Sequence, residues 1–212
     1  MNSPAKASWS AFNAETAKIY LDGFGHPSER SKILMASVLA ERFGGRPFRL
    51  ADFGCGNGHL YGFFRQRGLN LHYTGYDFST SLLQAAREKY PGDEQVRIRE
   101  ADIQDPMMEG EQADIALFSH VLEMLECPGG ALAAARRLAP SIMIRFFEPP
   151  VPRHDVAALH YMNIGPDTEK VPALRRSLDA DFYDLLLAKA GCRSVDIHKL
   201  EGDKDQIHVL NF

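Results

Sequence analysis

Leu50-Ala51-Asp52-Phe53-Gly54-Cys55-Gly56-Asn57-Gly58-His59-Leu60 decides how the rest of the chain is arranged. A short apolar strand (Phe48, Leu50, Phe53) runs into three glycines, and an apolar helical pattern begins at Leu60, Phe63 and Phe64. The order is strand, tight turn, helix. Glycine accepts positive φ, and its missing Cβ lets a ligand approach the backbone closely. Asp52 stands just ahead of the turn, where its carboxylate can meet a cationic or hydroxyl-bearing ligand.

Outward from this turn, strand-like and helix-like patterns alternate. A second apolar segment, Leu71 to Tyr76, leads to Asp77, close to the roughly 20-residue offset at which an acid reaches ribose hydroxyls in βαβ units; the competing reading is a surface aspartate capping the next helix. A third strand-like run, Val96 to Arg99, precedes Glu100-Ala101-Asp102-Ile103, and a fourth lies within Ala113 to Leu125. Helical patterns run from about Gly58 to Arg67, ended by Gly68, from Ser79 to Tyr90, stopped by Pro91, and from Pro128 to Leu138, before a fifth strand at Ser141 to Phe147. Beyond the break at 148–177, Asp179 or Asp181 starts a helix ended by Gly191, and Ser194 to Leu200 and Gln206 to Asn211 alternate like two antiparallel strands. At the front, Ala14 to Leu21 looks helical, and Ser28 is a plausible cap for a helix through Phe43, stopped by Gly44-Gly45. Such alternation implies a parallel sheet covered on both faces and joined by right-handed crossovers.

A dinucleotide loop spaced G-x-G-x-x-G would place its third glycine at position 59, but His59 stands there and the glycine arrives one residue early. The stretch Asp52 to Gly58 instead resembles the D-x-G-x-G-x-G loop of the class I S-adenosylmethionine-dependent methyltransferases, and the similarity extends over roughly residues 48 to 147. It implies an α/β fold: a seven-stranded, mostly parallel, doubly wound Rossmann-like sheet in one domain, 1–212. Residues 1–45 would form an N-terminal helical cap and 148–177 an inserted substrate-side loop after the fifth strand. By the same resemblance S-adenosyl-L-methionine is the cofactor. Asp52, Gly54, Gly56 and Gly58 would supply the loop, Asp77 and Phe78 the ribose end, Asp102 and Ile103 the adenine side, and Ser119 the end of the fourth strand. Tyr20 and Arg30 are candidates for the amino acid end, Arg30 because a guanidinium can clamp a carboxylate bidentately. A histidine often stands in the family where this chain has Met124.

Methyl transfer from a sulfonium is an in-line displacement that gains chiefly from holding two partners aligned and away from water. A general base helps when the nucleophile is protonated at neutral pH. Candidates at the carboxyl ends of the strands are His120, Glu123 and Glu148, with His154, His160 and Tyr161 in the insertion; His120, Tyr161 and His154 are taken as the catalytic set. Residues 148–177 hold five of the twelve prolines and a short stretch, Asp155 to Tyr161, that reads as helix. A loop this long inside a compact domain is usually functional. A nucleic-acid amine methyltransferase would carry Asn or Asp before Pro-Pro-aromatic after the fourth strand; Ser119-His120-Val121-Leu122 lacks it, and Glu148-Pro149-Pro150-Val151 reads as a turn. A small-molecule acceptor is expected. The alternatives are cyclisation or elimination of S-adenosylmethionine itself, a dinucleotide oxidoreductase, disfavoured by His59, and a non-catalytic binding module on the same fold.

The net charge of −4 with 25% charged residues gives no electrostatic reason to expect nucleic acid or an anionic membrane as partner. Cys55, Cys127 and Cys192 form no C-x-x-C pair, so neither a disulfide framework nor a metal site is expected and a reducing cytoplasm fits. No apolar run approaches the 18 or so residues of a membrane span, and Met1 to Ser10 lacks the pattern of a secretory signal. A soluble cytoplasmic protein is expected, with a homodimer left open.

Overall fold

The computed structural model describes residues 30–162 and 170–212. The chain enters through α1 (Arg30–Phe43) and then alternates β1 (Phe48–Phe53), α2 (His59–Gln66), β2 (Leu71–Asp77), α3 (Thr80–Lys89) and β3 (Val96–Glu100). It continues with β4 (Ile115–Ser119), a single 3-10 turn (Leu122–Met124), α4 (Pro128–Leu138) and β5 (Ser141–Phe146). The last part holds β6 (Val156–Met162), β7 (Val171–Ser177), α5 (Ala180–Ala190), β8 (Ser194–Lys199) and β9 (Gln206–Asn211). Seven strands form one sheet in the order β3-β2-β1-β4-β5-β9-β8. Pairings from β3 to β5 are parallel, and β9 runs antiparallel to both β5 and β8. This is the expected α/β, doubly wound, seven-stranded arrangement.

Strand residues alternate between two apolar layers, as a period of two requires. Ala116, Phe118, Ile142, Ile144 and Phe146 pack with Ala131, Leu132 and Ala135 of α4 and with Tyr183, Leu186 and Leu187 of α5. On the opposite face, Leu50, Leu71, Leu117, Met143 and Val209 pack with Met35 and Leu39 of α1, Leu60 and Phe64 of α2, and Leu83 of α3. Local signals set the ends of the helices. Pro128 fits the first turn of α4, where its missing N–H costs nothing. Asp179 caps α5 by accepting from the N–H groups of Asp181 and Phe182, and Gly191 closes that helix in the left-handed region.

The insertion departs from expectation. Val156–Met162 is a strand, not a helix, and pairs antiparallel with Val171–Ser177 in a separate two-stranded sheet. Alanine and leucine in Val-Ala-Ala-Leu-His-Tyr-Met favour helix locally, but seven cross-strand pairings with a segment beyond residue 170 decide the outcome. β7 lies against the 3-10 turn after β4, which brings the hairpin over the carboxyl end of the sheet.

Candidate active site

Strand order reverses between β1 and β4, and in open α/β sheets ligands settle in the crevice at that switch point. A cavity of about 430 Å3 lies there. Its walls come from the loop after β1 (Gly54, Cys55, Gly56, His59), the ends of β2 and β4, the segment 102–104 and the hairpin.

The glycine loop is held by the strand beside it. Gly54 N and Cys55 N both donate to Tyr76 O, at 2.8 and 3.1 Å, and Gly56 N donates to Asp77 Oδ2 at 2.9 Å. At Gly54 φ is +80°, and a Cβ would stand 2.7 Å from Val121 Cγ2, so glycine is required for both backbone shape and space. Asp77 is buried, and its Oδ1 accepts from Ser79 N at 2.9 Å. Burial raises its carboxyl above the usual range, and the bonds from Ser79, Gly56 and Phe78 pull it back. A carboxylate offers about four lone-pair sites, so capacity remains toward the cavity that Asp77 lines. Phe78, Leu82, Ile103 and Leu125 line the same cavity with apolar surface, and Asp102 and Gln104 line it as well.

At the other end, Asp205 is the centre of a buried cluster. Its Oδ2 accepts from Arg145 Nε at 2.8 Å and from Ser31 Oγ at 2.6 Å, and lies 3.0 Å from His120 Nε2. Arg145 Nη1 also reaches Ser119 Oγ at 3.4 Å. Burial alone would raise the Asp205 carboxyl, but the His120 and Ser31 bonds and the Arg145 charge hold it well below the usual range. His120 has φ +56°, uncommon for a residue with a side chain, and its N–H donates to Arg145 O at 2.9 Å. The cluster thus joins α1, the end of β4, β5 and the β8–β9 loop around an imidazole that lines the cavity. His59 is kept neutral at physiological pH, since burial and the Lys32 charge push its imidazole down to about 3.

Several expected residues lie elsewhere. Asp52 is 1% exposed and faces Tyr73, whose hydroxyl donates to Oδ2 at 2.5 Å, so its carboxylate is part of the core and outside the cavity lining. Burial pushes it up to about 7 despite the Tyr73 bond. Its register neighbour is Gly75, and a Cβ there would meet Cys55 Sγ at 2.7 Å and Tyr73 Cε1 at 3.0 Å; the bare glycine makes room for this packing. Gly58 is also outside the lining and starts α2 in the left-handed region. Gly54, Gly56, Asp77, Phe78, Asp102, Ile103, Ser119 and His120 line the cavity together. Tyr161 and His154 do not: side chains alternate along β6, so His160 meets the cavity while Tyr161, 69% exposed, turns to the outer face, and His154 lies exposed before the strand. Arg30 is exposed and stands outside the lining, and Tyr20 lies outside the described residues. Arg145, Asp205 and Phe147 were not among the expected site residues. An arginine inside the otherwise buried strand Ser-Ile-Met-Ile-Arg-Phe was the available signal, because a buried guanidinium demands a partner.

Glu123, in the 3-10 turn, is 1% exposed behind the hairpin side of this wall. It accepts from Glu148 N at 2.5 Å, and burial pushes its carboxyl up to about 7. Glu148 in turn accepts from Arg175 Nη2 at 3.0 Å and Ser177 Oγ at 2.7 Å, which fastens the hairpin to the end of β5.

Residues 51–141 match the family described as a methyltransferase domain. The sheet order above is that of the Rossmann-like fold of class I methyltransferases, and the match covers its central part, from β1 to the start of β5. Among solved structures it is similar to the amino pentose methyltransferase CalS10 from Micromonospora echinaspora, bound to S-adenosylmethionine (18% identity, 91% of this chain and 96% of that chain, TM-score 0.66). It is also similar to the N-terminal domain of EvdMO1 in the presence of S-adenosylhomocysteine and D-fucose (16%, 87% and 84%, 0.64). A third is the 1,6-didemethyltoxoflavin-N1-methyltransferase of Burkholderia thailandensis (19%, 87% and 79%, 0.59). No curated protein matches the sequence. Among the described residues no helix is long and apolar enough to cross a membrane, and no group of three or more His, Cys, Asp or Glu is placed to hold a metal.

Proposed function

We propose that the protein transfers a methyl group from S-adenosyl-L-methionine to a small-molecule acceptor. The observation that carries this reading is the cavity at the switch point, lined at once by Asp77, a carboxylate fixed by the glycine loop, by the apolar Phe78, Leu82 and Ile103, and by residues of the hairpin. These residues fit the proposed group. An adenosine has an apolar base for Phe78, Leu82 and Ile103 and ribose hydroxyls for Asp77, and about 430 Å3 is in the range of small-molecule sites. The bound cofactor supplies a methyl on a positively charged sulfur. Asp77 orients the ribose, Asp102 and Ile103 border the base, and Gly54 and Gly56 allow close approach of the backbone. His120, held at its Nε2 by Asp205, is the group placed to take a proton from an acceptor, while Phe147, Val121 and Met124 exclude water. Proteins of similar fold act on an amino pentose and on 1,6-didemethyltoxoflavin, which supports a small acceptor.

The test is release of S-adenosylhomocysteine from methyl-labelled S-adenosylmethionine across a panel of small amines, phenols and hydroxy acids. Label appearing in an acceptor supports the proposal. A thioether product with no labelled acceptor would replace it with breakdown of S-adenosylmethionine itself.

A further inference from the structure

We propose that the acceptor carries an anionic group, a carboxylate or a phosphate, which Arg175 and His160 hold against the cavity face of the β6–β7 hairpin. This rests on the reading of that face as the acceptor wall.

The register sets the geometry. Ala158 is opposite Arg175, and His160 is opposite Ala173, in an antiparallel ladder. On the cavity face the guanidinium and the imidazole therefore occupy one diagonal, with Cα atoms of such neighbours about 7–8 Å apart. Two long side chains on that diagonal can both reach one carboxylate or phosphate. The other two corners are alanines, whose methyl groups leave the space between the two long side chains unfilled. His160, Ala173 and Arg175 all line the cavity.

Arg175 lies against the Phe147 ring with donors to spare. Its guanidinium carbon lies 4.3 Å from the centre of the Phe147 ring, and Nη2 donates to Glu148 Oε1 at 3.0 Å. A guanidinium carries five N–H donors in a planar fork that matches carboxylate and phosphate oxygens. Among the described residues Arg175 uses one of them in a hydrogen bond. Glu148 does not absorb the rest, because its second oxygen is taken by Ser177 Oγ at 2.7 Å. It acts as a strut that fixes the guanidinium plane. The other arginine of the lining, Arg145, is committed to Asp205, Ser31 and Ser119 and cannot serve the same purpose. A neutral acceptor would leave the Arg175 donors that Glu148 does not take facing a partly enclosed wall without an anionic acceptor, and such mismatches are what make polar sites selective.

The experiment is calorimetric titration of the protein saturated with S-adenosylhomocysteine, using benzoate, phenyl phosphate and benzamide as probes. Wild type is compared with Arg175→Gln, which removes the fork, and Ala158→Leu, which fills the gap without touching the guanidinium. At least one anion is expected to bind ten-fold or more tighter than benzamide to wild type, and that preference is expected to fall below two-fold in both variants. Circular dichroism and S-adenosylhomocysteine affinity monitor the fold of each variant. Equal binding of the acids and the amide to wild type would overturn the proposal, as would a preference unchanged in both folded variants. A protein that fails to bind S-adenosylhomocysteine, yet shows the Arg175-dependent preference without it, would refute the cofactor reading and uphold the anion site.

Discussion

Asp205→Ala tests whether the buried cluster is a structural hub. The side chains of Arg145 and Asp205 are 2% and 9% exposed, so solvent screens this pair little. Removing the carboxylate leaves the Arg145 guanidinium buried without its counter-charge and takes the acceptor from Ser31 and His120 as well. Breaking a buried pair from one side costs about 3–5 kcal/mol. That is a large share of the roughly 5–15 kcal/mol available to a domain, and corresponds to a fall in Tm of roughly 6–20 °C at this chain length. Urea denaturation provides the assay: the midpoint should drop with the m-value unchanged. Replacing both partners with apolar residues, Arg145→Met with Asp205→Leu, should cost less than Asp205→Ala alone. The pH dependence has a definite sign. A carboxyl held below its unfolded range contributes stability above the unfolded pKa and loses it as pH falls toward the folded value. The gap between wild type and Asp205→Ala should therefore shrink below about pH 4. A loss under about 1 kcal/mol, within the range of an exposed pair, would refute the reasoning.

Three further outcomes follow from the geometry. Asp77→Ala should weaken S-adenosylhomocysteine binding by a few kcal/mol, at roughly 1.5–3 kcal/mol per bond to a charged group. It should also lower the melting temperature of the free protein, because the same carboxylate holds Gly56 and Ser79; calorimetry and melts on one sample separate the two effects. Asp52 and Glu123 have carboxyls pushed up to about 7, so between about pH 4 and 7 the unfolded chain releases their protons first and stability falls as pH rises, by roughly 3–4 kcal/mol for each group. Asp52→Asn should then be more stable than wild type at pH 8 with the difference gone near pH 4, and urea midpoints across that range check it. Tyr161→Phe, on the outer face of the hairpin, should leave turnover of an identified acceptor within two-fold, whereas His160→Ala should raise KM for it.

Much of the fold was legible because its signals are local. Pro128 to Leu138 and Gln206 to Asn211 are elements with the expected bounds, since a proline in the first turn or an apolar alternation between polar loops marks them within a few residues. The meeting of Asp77 with the glycine loop was readable from its spacing to it. What escaped depends on long-range contact. Asp205 meets Ser31, Arg145 and His120 across 174, 60 and 85 positions of sequence, and no local pattern announces such meetings. Asp52 looked like a ligand contact because it precedes the turn, but the tyrosine diagonal to it across Gly75 claims its carboxylate. The insertion was assigned by helix formers while its partner strand lay beyond residue 170, and without the strand pairing nothing local separated His160, which lines the cavity, from Tyr161, which does not.

Under the proposed function the switch-point cavity is a site for S-adenosylmethionine. Its most direct test is a thermal melt of the protein with S-adenosylmethionine, S-adenosylhomocysteine, NAD and ATP in parallel, repeated on Asp77→Ala. A sulfur ligand at about 100 times its Kd should add roughly 2.7 kcal/mol to wild type, and much less to the variant at the same concentration. Stabilisation by NAD with no response to either sulfur ligand, or an equal response from a folded Asp77→Ala protein, would contradict it.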